Sequence, residues 1–247
     1  MSNTHLSTDV AKFRYDVFYS IDAIDAGVWD RVNNFSNNYL SFSFLSAFEK
    51  GMKASMSFRY LIFYNYDNQA VATVVFQQFS ARTSDLLQNK VASFLAEKIK
   101  STFSDMPLQI LVCGNLFASG ENGFAHTQLV PKKTVLSLIN AAVSENFSDL
   151  KKSAPSFVLI KEFWPSFSDG NSLKKKRFFE FEIDVNMVVR FAENYKNMAA
   201  YMGTMNTKYR SRFTHVYQKS AAVRKFDFSA EQIREQLPTI EKMYAEV

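Results

Sequence analysis

The sequence predicts an α/β fold, and three observations lead to that prediction. Short apolar runs with strand-like alternation take turns with segments in which apolar residues recur every three or four positions. Hydrophobic residues make up 47% of the 247 residues and charged residues 21%, as in ordinary globular proteins rather than disordered chains. A chain of this length buries roughly three quarters of its unfolded surface, so its core needs no crosslink.

A strand and two helices are predicted at the start of the chain. Residues 13–19 alternate in polarity, as a strand with one buried face does. Asp22 or Asp25 can cap a short helix through Trp29, because a carboxylate accepts hydrogen bonds from the first free amide groups of a helix. A second helix is predicted over 39–53, where aromatic and aliphatic residues recur at helical spacing behind serine N-caps.

A β-hairpin is predicted next. Residues 59–66 and 69–79 are rich in aromatic and β-branched side chains, and Asp67 with Asn68 suits a tight reversal between them. The four residues 60–63 contain no polar face. We therefore expect both faces of this hairpin to be largely buried.

The central part of the chain predicts two more helices and two more strands. Apolar residues at helical spacing indicate a helix over 86–99, and a buried strand is predicted over 108–113. Another helix is predicted from about Lys132 to Phe147, and an apolar strand over 156–163 follows it.

A loop with three glycines, Gly114 to Gly123, leads from the strand over 108–113 towards the helix near Lys132. Backbone amide groups in a loop at a helix start can bind phosphate, which makes Gly114, Asn115, Gly120 and Gly123 candidate cofactor-binding residues. A plain connecting loop is the alternative, because a bare glycine pattern is a weak signal.

A domain boundary is predicted near residue 170, with a first domain over 1–170 and a basic helical segment over 171–247. Residues 165–176 have the Ser, Asp, Gly and Asn content of a linker. A strand is predicted over 177–185 by its alternation. The balance of basic and acidic residues also changes at this point of the chain, which supports the predicted boundary.

The C-terminal part predicts one long helix over 195–216, with a stripe of aromatic residues and methionines that is expected in a core. A short strand is predicted over 222–228. Ser229 and Gln232 have capping-box spacing and open a final helix, which Pro238 is expected to kink or restart. Its apolar period continues to the last residue, so we expect the chain to be a fragment of a longer protein.

Positive charge is concentrated in the C-terminal segment. Residues 1–170 carry 15 basic and 15 acidic residues, whereas residues 171–247 carry 14 basic and 9 acidic ones. No acidic residue lies between Asn194 and Phe226. Such a segment attracts phosphate, nucleic acid or another anionic surface, or is simply a solvated face or one with acidic partners elsewhere in the protein. The candidate anion-binding or substrate-binding residues are Lys208, Tyr209, Arg210 and Arg212.

Cysteine and histidine are scarce. One cysteine, Cys113, excludes an intramolecular disulfide, and with three scattered histidines it forms no metal-ligand pattern, so we predict no bound metal. At the end of an apolar strand Cys113 is expected to pack in the core rather than act as a nucleophile. His126 and His215 have no carboxylate partner in sequence, and no residue is identified as catalytic.

The first residues of the chain lack the apolar region of a secretory signal. No apolar stretch is long enough to cross a bilayer. The sequence therefore predicts a protein of the cytoplasm without a membrane span.

Two phrases of the sequence match a known pattern, the run Ile24 to Trp29 followed by Asn38 to Glu49, and Tyr201 to Lys219 with Lys208 to Arg212 at its centre. The first is similar to the N-terminal signature of bacterial FemAB-like proteins of the GNAT superfamily of acyl-CoA N-acyltransferases. The second resembles the opening of that family's second half. Together the two phrases span most of the chain.

The resemblance implies a GNAT-like mixed sheet flanked by helices, followed by the opening strand and helices of a second, incomplete GNAT-like half. Acyl-CoA would lie between the fourth and fifth strands, here 108–113 and 156–163, as a co-substrate and not as a tightly bound cofactor. The partners implied are an acyl donor, either acyl-CoA or aminoacyl-tRNA, and an amine acceptor. The family's usual pyrophosphate-binding phrase is absent from this sequence.

The activity implied by the resemblance is therefore transfer of an acyl or aminoacyl group to an amine. Two alternatives stand beside it. The basic segment predicts a non-catalytic module that binds nucleic acid, such as tRNA, or another anion. The other alternative is that the first half is a silent scaffold for a larger acyltransferase.

Overall fold

Two compact units divide the chain in the computed structural model, Met1–Asp184 and Val185–Val247. The structure describes residues 12–34, 36–82, 107–147, 157–161, 163, 178–180, 191–193 and 195–246. The predicted helix over 86–99, the linker over 165–176 and the boundary near residue 170 lie outside the described residues. So does most of the strand predicted over 177–185, of which only 178–180 are described, without regular secondary structure.

The first unit alternates strands and helices along the chain. Its strands are β1 (Arg14–Phe18), β2 (Ser57–Tyr64), β3 (Ala70–Arg82), β4 (Pro107–Cys113), β5 (Phe124–His126) and β6 (Phe157–Ile160). Its α-helices are α1 (Ala26–Asn33), α2 (Phe42–Met52) and α3 (Lys132–Phe147), and short 3-10 turns cover Ile21–Ala23 and Asn38–Leu40. Asp25 caps α1 and Ser41 caps α2. The sequence predicted Asp22 or Asp25 as the first cap and a serine as the second.

The six strands form one mixed sheet in the order β1-β2-β3-β4-β6. Neighbours from β1 to β4 are antiparallel, while β4 and β6 are parallel and α3 lies in the connection between them. A parallel pair needs such a crossover, because its strands run in the same direction. The prediction that the hairpin shares one sheet with the strands over 108–113 and 156–163 is confirmed, and so is the α/β fold class.

Both faces of the sheet are covered by helices, as the apolar run from Tyr60 to Phe63 predicts. Tyr60 and Ile62 pack in one cluster with Trp29 of α1 and Leu45 of α2. Leu61 and Phe63 point to the opposite face, where their cluster includes residues of α3 such as Leu136 and Ile139. All four hairpin side chains are at most 1% exposed, so β2 is a central strand buried on both sides.

β5 was not predicted, and it continues the line of β4. β4 pairs with β3 from Phe76 to Arg82, and β5 pairs with the same edge of β3 from Ala72 to Val74. The two strands thus form one interrupted antiparallel partner of β3. A strand of three residues carries too little alternation to be visible in the sequence.

The second unit contains α4 (Met198–Thr204), α5 (Thr207–Lys219) and α6 (Ala230–Ala245). The single helix predicted over 195–216 is wrong, because the chain is extended at Met205 and Asn206 starts a new helix by capping Tyr209 N. The stripe expected in a core is half-buried at Met202 and Phe213, and exposed at other positions such as Tyr209.

One further prediction in the second unit is corrected. The strand over 222–228 is absent: Ser220–Ala222 is a 3-10 turn and residues 223–229 have no regular secondary structure. The capping box of Ser229 and Gln232 is confirmed. The helix that it opens continues through Pro238 without restarting, because a proline removes one amide donor but need not end a helix.

Candidate functional site

The loop from Gly114 to Gly123 begins and ends beside the same residue of β3, Val75. Gly114 N donates to Val75 O, and Val75 N donates to Gly123 O. The ten-residue loop is therefore an excursion between β4 and β5, both ends of which return to Val75. In the structure, β5 and residues 127–131 separate the loop from α3. The loop therefore does not lie at the start of a helix, contrary to the expectation from the sequence.

Several backbone amide groups in the first half of this loop donate hydrogen bonds within the protein. Leu116 N donates to Gln77 Oε1, and both Phe117 N and Ala118 N donate to Asn115 Oδ1. The loop instead presents carbonyl groups inwards. Lys161 Nζ donates to the carbonyl oxygens of Asn115, Leu116 and Ala118 at 3.0, 3.2 and 3.2 Å. An ammonium group of the chain itself therefore occupies the position that these three carbonyl oxygens surround.

We expect calorimetric titration with acetyl-CoA to give weak binding or none. Four amide groups of the loop, those of residues 114 and 116–118, already donate to Val75, Gln77 and Asn115 and cannot hold a pyrophosphate as well. Glu121 at the end of the loop adds a negative charge that disfavours phosphate. Tight binding with a stoichiometry of one would contradict this prediction, provided that free inorganic phosphate competes with acetyl-CoA for the same site.

A polar pocket of about 300 Å³ lies beside the far end of the same loop. It opens between the C-terminal end of α1, the 3-10 turn Asn38–Leu40, β5 and the start of α3. Its lining residues are Val32, Asn33, Asn34, Ser36, Asn37, Leu40, Glu121, Phe124, Ala125, His126 and Lys132. Six of these carry amide, hydroxyl, carboxylate or imidazole groups and one carries an ammonium group, so the pocket suits a small polar molecule.

Asn33 ends α1 at the pocket and is 2% exposed. Its Nδ2 donates to Asn37 O at 2.9 Å, whereas nothing among the described residues donates to its Oδ1. Asn34 follows in the left-handed conformation, at φ 49°, which ends the helix and turns the chain along the rim. Asn33 Oδ1 has less than 1 Å² of accessible surface, so a ligand in the pocket does not contact it, and a buried acceptor without a donor costs about 1–3 kcal/mol.

Asn37 ties the rim to the loop. Its Nδ2 donates to Glu121 O at 3.2 Å and to Asn122 Oδ1 at 2.9 Å, and Asn122 Nδ2 donates in turn to Ser119 O. Asn122 is 4% exposed, so these bonds are sheltered from water. The two sides of the pocket, 85 residues apart in sequence, are thereby held in fixed positions.

Glu121 and Lys132 form an ion pair within the pocket. Lys132 Nζ lies 2.6 Å from Glu121 Oε1, and the two side chains are 24% and 20% exposed. The ammonium also lies 5.9 Å from the centre of the Phe124 ring and 5.6 Å from that of Phe163. Because the pair is largely removed from water, both charges act on a ligand more strongly than surface charges do.

His126 of β5 is exposed at the pocket. Its Nδ1 lies 3.0 Å from Thr127 O, and because a carbonyl only accepts, Nδ1 carries the proton in this hydrogen bond. Nε2 is then the nitrogen with a free lone pair. The imidazole is thus oriented as a proton acceptor, a role that the sequence did not assign to it.

Cys113 packs in the core, as predicted. It is fully buried, and its thiol donates to Gly123 O at 3.7 Å. Burial raises the pKa of the thiol, so the reactive thiolate is strongly disfavoured. A Cβ at Gly123 would lie 2.9 Å from Cys113 Sγ, which explains the glycine there. No group of three or more metal-ligating side chains is found in the part of the chain that the structure describes.

In the second unit, the candidate residues on α5 have different roles. The Arg210 guanidinium donates to the carbonyl oxygens of Met202, Gly203 and Met205, so it stabilises the end of α4. Lys208, Arg212 and Lys219 are exposed and form no ion pair within the described residues. Their spacing of four and seven residues places them on one helix face, along about 16 Å. Tyr209 is 57% exposed and lies off this cationic stripe.

Together these features define an α/β protein with a mixed open sheet flanked by helices and a polar pocket at one end of that sheet. Comparison with known protein families, curated proteins and solved structures finds no match for this chain. Within the described residues, no helix combines the length and the apolar character needed to span a membrane.

The pocket was not predicted, because its residues are distant in sequence. The asparagine-rich stretch 33–38 was a signal that could have indicated it, since asparagine at a helix end is either a cap or a hydrogen-bonding group for something else. In the sequence, Glu121 belongs to a predicted loop and Lys132 to the start of a predicted helix, and no spacing pattern relates the two residues. Only the pairing of β5 with β3 brings His126 next to α1.

Proposed function

We propose that the protein is an N-acyltransferase of the cytoplasm that passes an acyl or aminoacyl group to an amine, and that the polar pocket receives the amine. The observation that carries this proposal is His126, which lines the pocket and whose Nδ1 contact with Thr127 O leaves Nε2 as the proton acceptor. The sheet order supports it, because the parallel pair β4 and β6 around α3 has the arrangement that a GNAT-like fold implies.

The proposed reaction is attack of the amine nitrogen on a thioester or ester carbonyl carbon. A C–N bond forms, the C–S or C–O bond to the donor breaks, and the departing sulfur or oxygen takes a proton. His126 Nε2 accepts the proton that the nucleophilic nitrogen loses.

The test is a transfer assay with two donors, acetyl-CoA as the thioester and an aminoacyl-tRNA as the ester. Each is incubated with the protein and a panel of primary amines, and amide products are measured by mass spectrometry. The proposal expects a protein-dependent amide with at least one donor. If neither donor yields an amide above the uncatalysed rate with any amine, the proposal is wrong.

The cationic stripe of Lys208, Arg212 and Lys219 favours a second function, binding of a nucleic acid backbone. All three residues are exposed, and the segment from 195 to 225 has no acidic residue. Phosphates neutralised by such residues release counterions, which makes the binding depend steeply on salt. A solvated helix face predicts no such dependence.

We expect the triple variant Lys208→Gln, Arg212→Gln, Lys219→Gln to weaken binding of poly(U) RNA and to reduce the slope of log K against log salt by about 2 to 3. The matched control is Lys53→Gln, Arg82→Gln, Lys133→Gln, which removes the same charge from exposed positions of the first unit. Equal losses in both variants, measured by fluorescence anisotropy, would mean that only net charge matters and that the stripe is a solvated face.

A further inference from the structure

The last helix, α6, carries an exposed apolar stripe. Four large apolar side chains recur at intervals of four, three and four residues, which is the spacing of positions a and d in a coiled coil. They are Ile233, Leu237, Ile240 and Tyr244, and they are between 41% and 85% exposed. The stripe extends over about three turns of the helix, so it is long enough to form a seam with a second helix.

The helix α6 needs such a partner to be stable. Every residue from Ser229 to Glu246 is exposed. A single helix of this length is marginal in water, because most of the stability of helices in proteins comes from packing of an apolar face. Pro238 weakens it further, since a proline in the helix interior removes a backbone donor.

We propose that α6 pairs with α6 of a second copy of this chain, in an antiparallel coiled coil. In this pairing Leu237 packs on Ile240 of the partner subunit, and Ile233 packs on Tyr244 of the partner subunit. The same contacts recur by two-fold symmetry, so that four apolar layers cover both stripes. The proposal is independent of acyl transfer and of the polar pocket.

The charges beside the stripe favour a second copy as the partner and select the antiparallel direction. Arg234 and Glu241 lie on the same flank of the stripe, seven residues apart. In an antiparallel pair equal flanks meet, so Arg234 faces Glu241 of the partner subunit, twice by symmetry. In a parallel pair opposite flanks meet, and these two charges would face the uncharged Ser229 and Gln236.

Arg234 has an ion pair within α6, which is compatible with this arrangement. Its Nη1 lies 3.4 Å from Glu231 Oε1, and the two side chains are 75% and 74% exposed. An exposed pair of this kind contributes little to stability. A guanidinium group has five N–H donors, so Arg234 can contact Glu231 and a carboxylate of the partner subunit together.

The test is the oligomeric state of the full chain, measured by sedimentation equilibrium at low ionic strength. We expect the apparent mass to rise from 28.3 kDa towards twice that value between about 1 and about 500 µM protein, because dimer formation follows mass action. Leu237→Lys is expected to weaken the dimer at least about tenfold, since it places a charge in each of the two central layers. Leu237 is 45% exposed in the single chain, so this variant should keep the circular dichroism spectrum of the dissociated protein.

Two charge variants test the direction of the pairing. Arg234→Glu and Glu241→Arg are each expected to weaken self-association about three- to tenfold, because like charges then face each other. An equimolar mixture of the two variants should restore association, since every facing pair then has opposite signs. The matched controls are Lys242→Glu and Glu235→Arg, which make the same charge changes on the outer side of α6. Each control, and their mixture, should associate within about twofold of the unaltered protein.

Three results would overturn the proposal. A chain that stays monomeric at every concentration would mean that a different protein or another segment covers the stripe. A dimer that Leu237→Lys leaves intact would place the interface on another surface. A dimer that depends on Leu237 but shows no recovery in the mixture of Arg234→Glu and Glu241→Arg, beyond that of the control mixture, would exclude the antiparallel pairing.

Discussion

His126→Gln is expected to reduce the rate of amide formation by a factor of about 10² to 10⁴, the usual contribution of a positioned general base. Glutamine retains a polar side chain of similar length, but its amide cannot accept the proton from the attacking amine. Because His126 is exposed on a short edge segment, the fold should be unaffected. Initial rates in the transfer assay, with the donor that gives an amide, measure the effect.

The chain offers a matched control in His215, an exposed histidine of α5 in the second unit. His215→Gln should leave the rate within about twofold of that of the unaltered protein, since removal of an exposed side chain outside a site has little effect. A His126→Gln variant that keeps its full rate, with an unchanged circular dichroism spectrum, would exclude the imidazole as the base. The proton would then leave through water or another group.

The sequence predicted most of the first unit because its elements carry local signals. Alternation identified β1 and the hairpin, and the helical period identified α2 and α3. Ser41 capped its helix as expected, since an N-cap depends only on the next three residues. These predictions succeed where the local preference and the tertiary structure agree.

Elements with weak local signals were missed. β5 has three residues and exists because Val75 accepts and donates hydrogen bonds at the two ends of the loop beside it. The break between α4 and α5 depends on Asn206, whose side chain caps the second helix, and on Arg210, which binds the carbonyl groups of the first. An apolar stripe with helical period continues across this break, so periodicity alone could not show it.

The pocket could not be predicted from spacing, because its lining comes from two parts of the chain that are more than 80 residues apart. Asn33 comes from α1, Asn37 from the following turn, and Glu121, His126 and Lys132 from a region more than 80 residues later. What brings them together is the packing of α1 on β3 and β5. The anchor of that packing is Trp29, which was singled out in the sequence only for its resemblance to a family signature.

Trp29 holds together the two chain segments that border the pocket. It is fully buried, its Nε1 donates to Leu40 O at 2.7 Å, and its ring packs edge to face on Tyr60 at 5.7 Å. Trp29 precedes Asn33 by one helical turn, and Leu40 follows Asn37 in the turn that forms the other border. One side chain thus fixes the distance between both borders and attaches them to β2.

Trp29→Ala is therefore expected to lower the free energy of unfolding by about 3–5 kcal/mol, through the lost contact area and the cavity left behind. Trp29→Phe keeps most of the ring but removes the donor to Leu40 O, so a smaller loss of about 1–3 kcal/mol is expected. Urea denaturation followed by circular dichroism measures both. Tyr66→Ala is the control, since that ring is 77% exposed and its removal should change the free energy by less than about 0.5 kcal/mol.

The phenylalanine variant separates a purely structural role from a role in the pocket. If Trp29 positions Asn33 through its bond to Leu40, then Trp29→Phe should slow amide formation in the transfer assay under conditions in which the protein is still fully folded. The reason is that the two borders of the pocket lose their common attachment while the core remains filled. A variant that loses stability but forms the amide at an unchanged rate would show that Asn37 and the loop alone maintain the pocket. A Trp29→Ala variant that unfolds at the same urea concentration as the unaltered protein would contradict the packing itself.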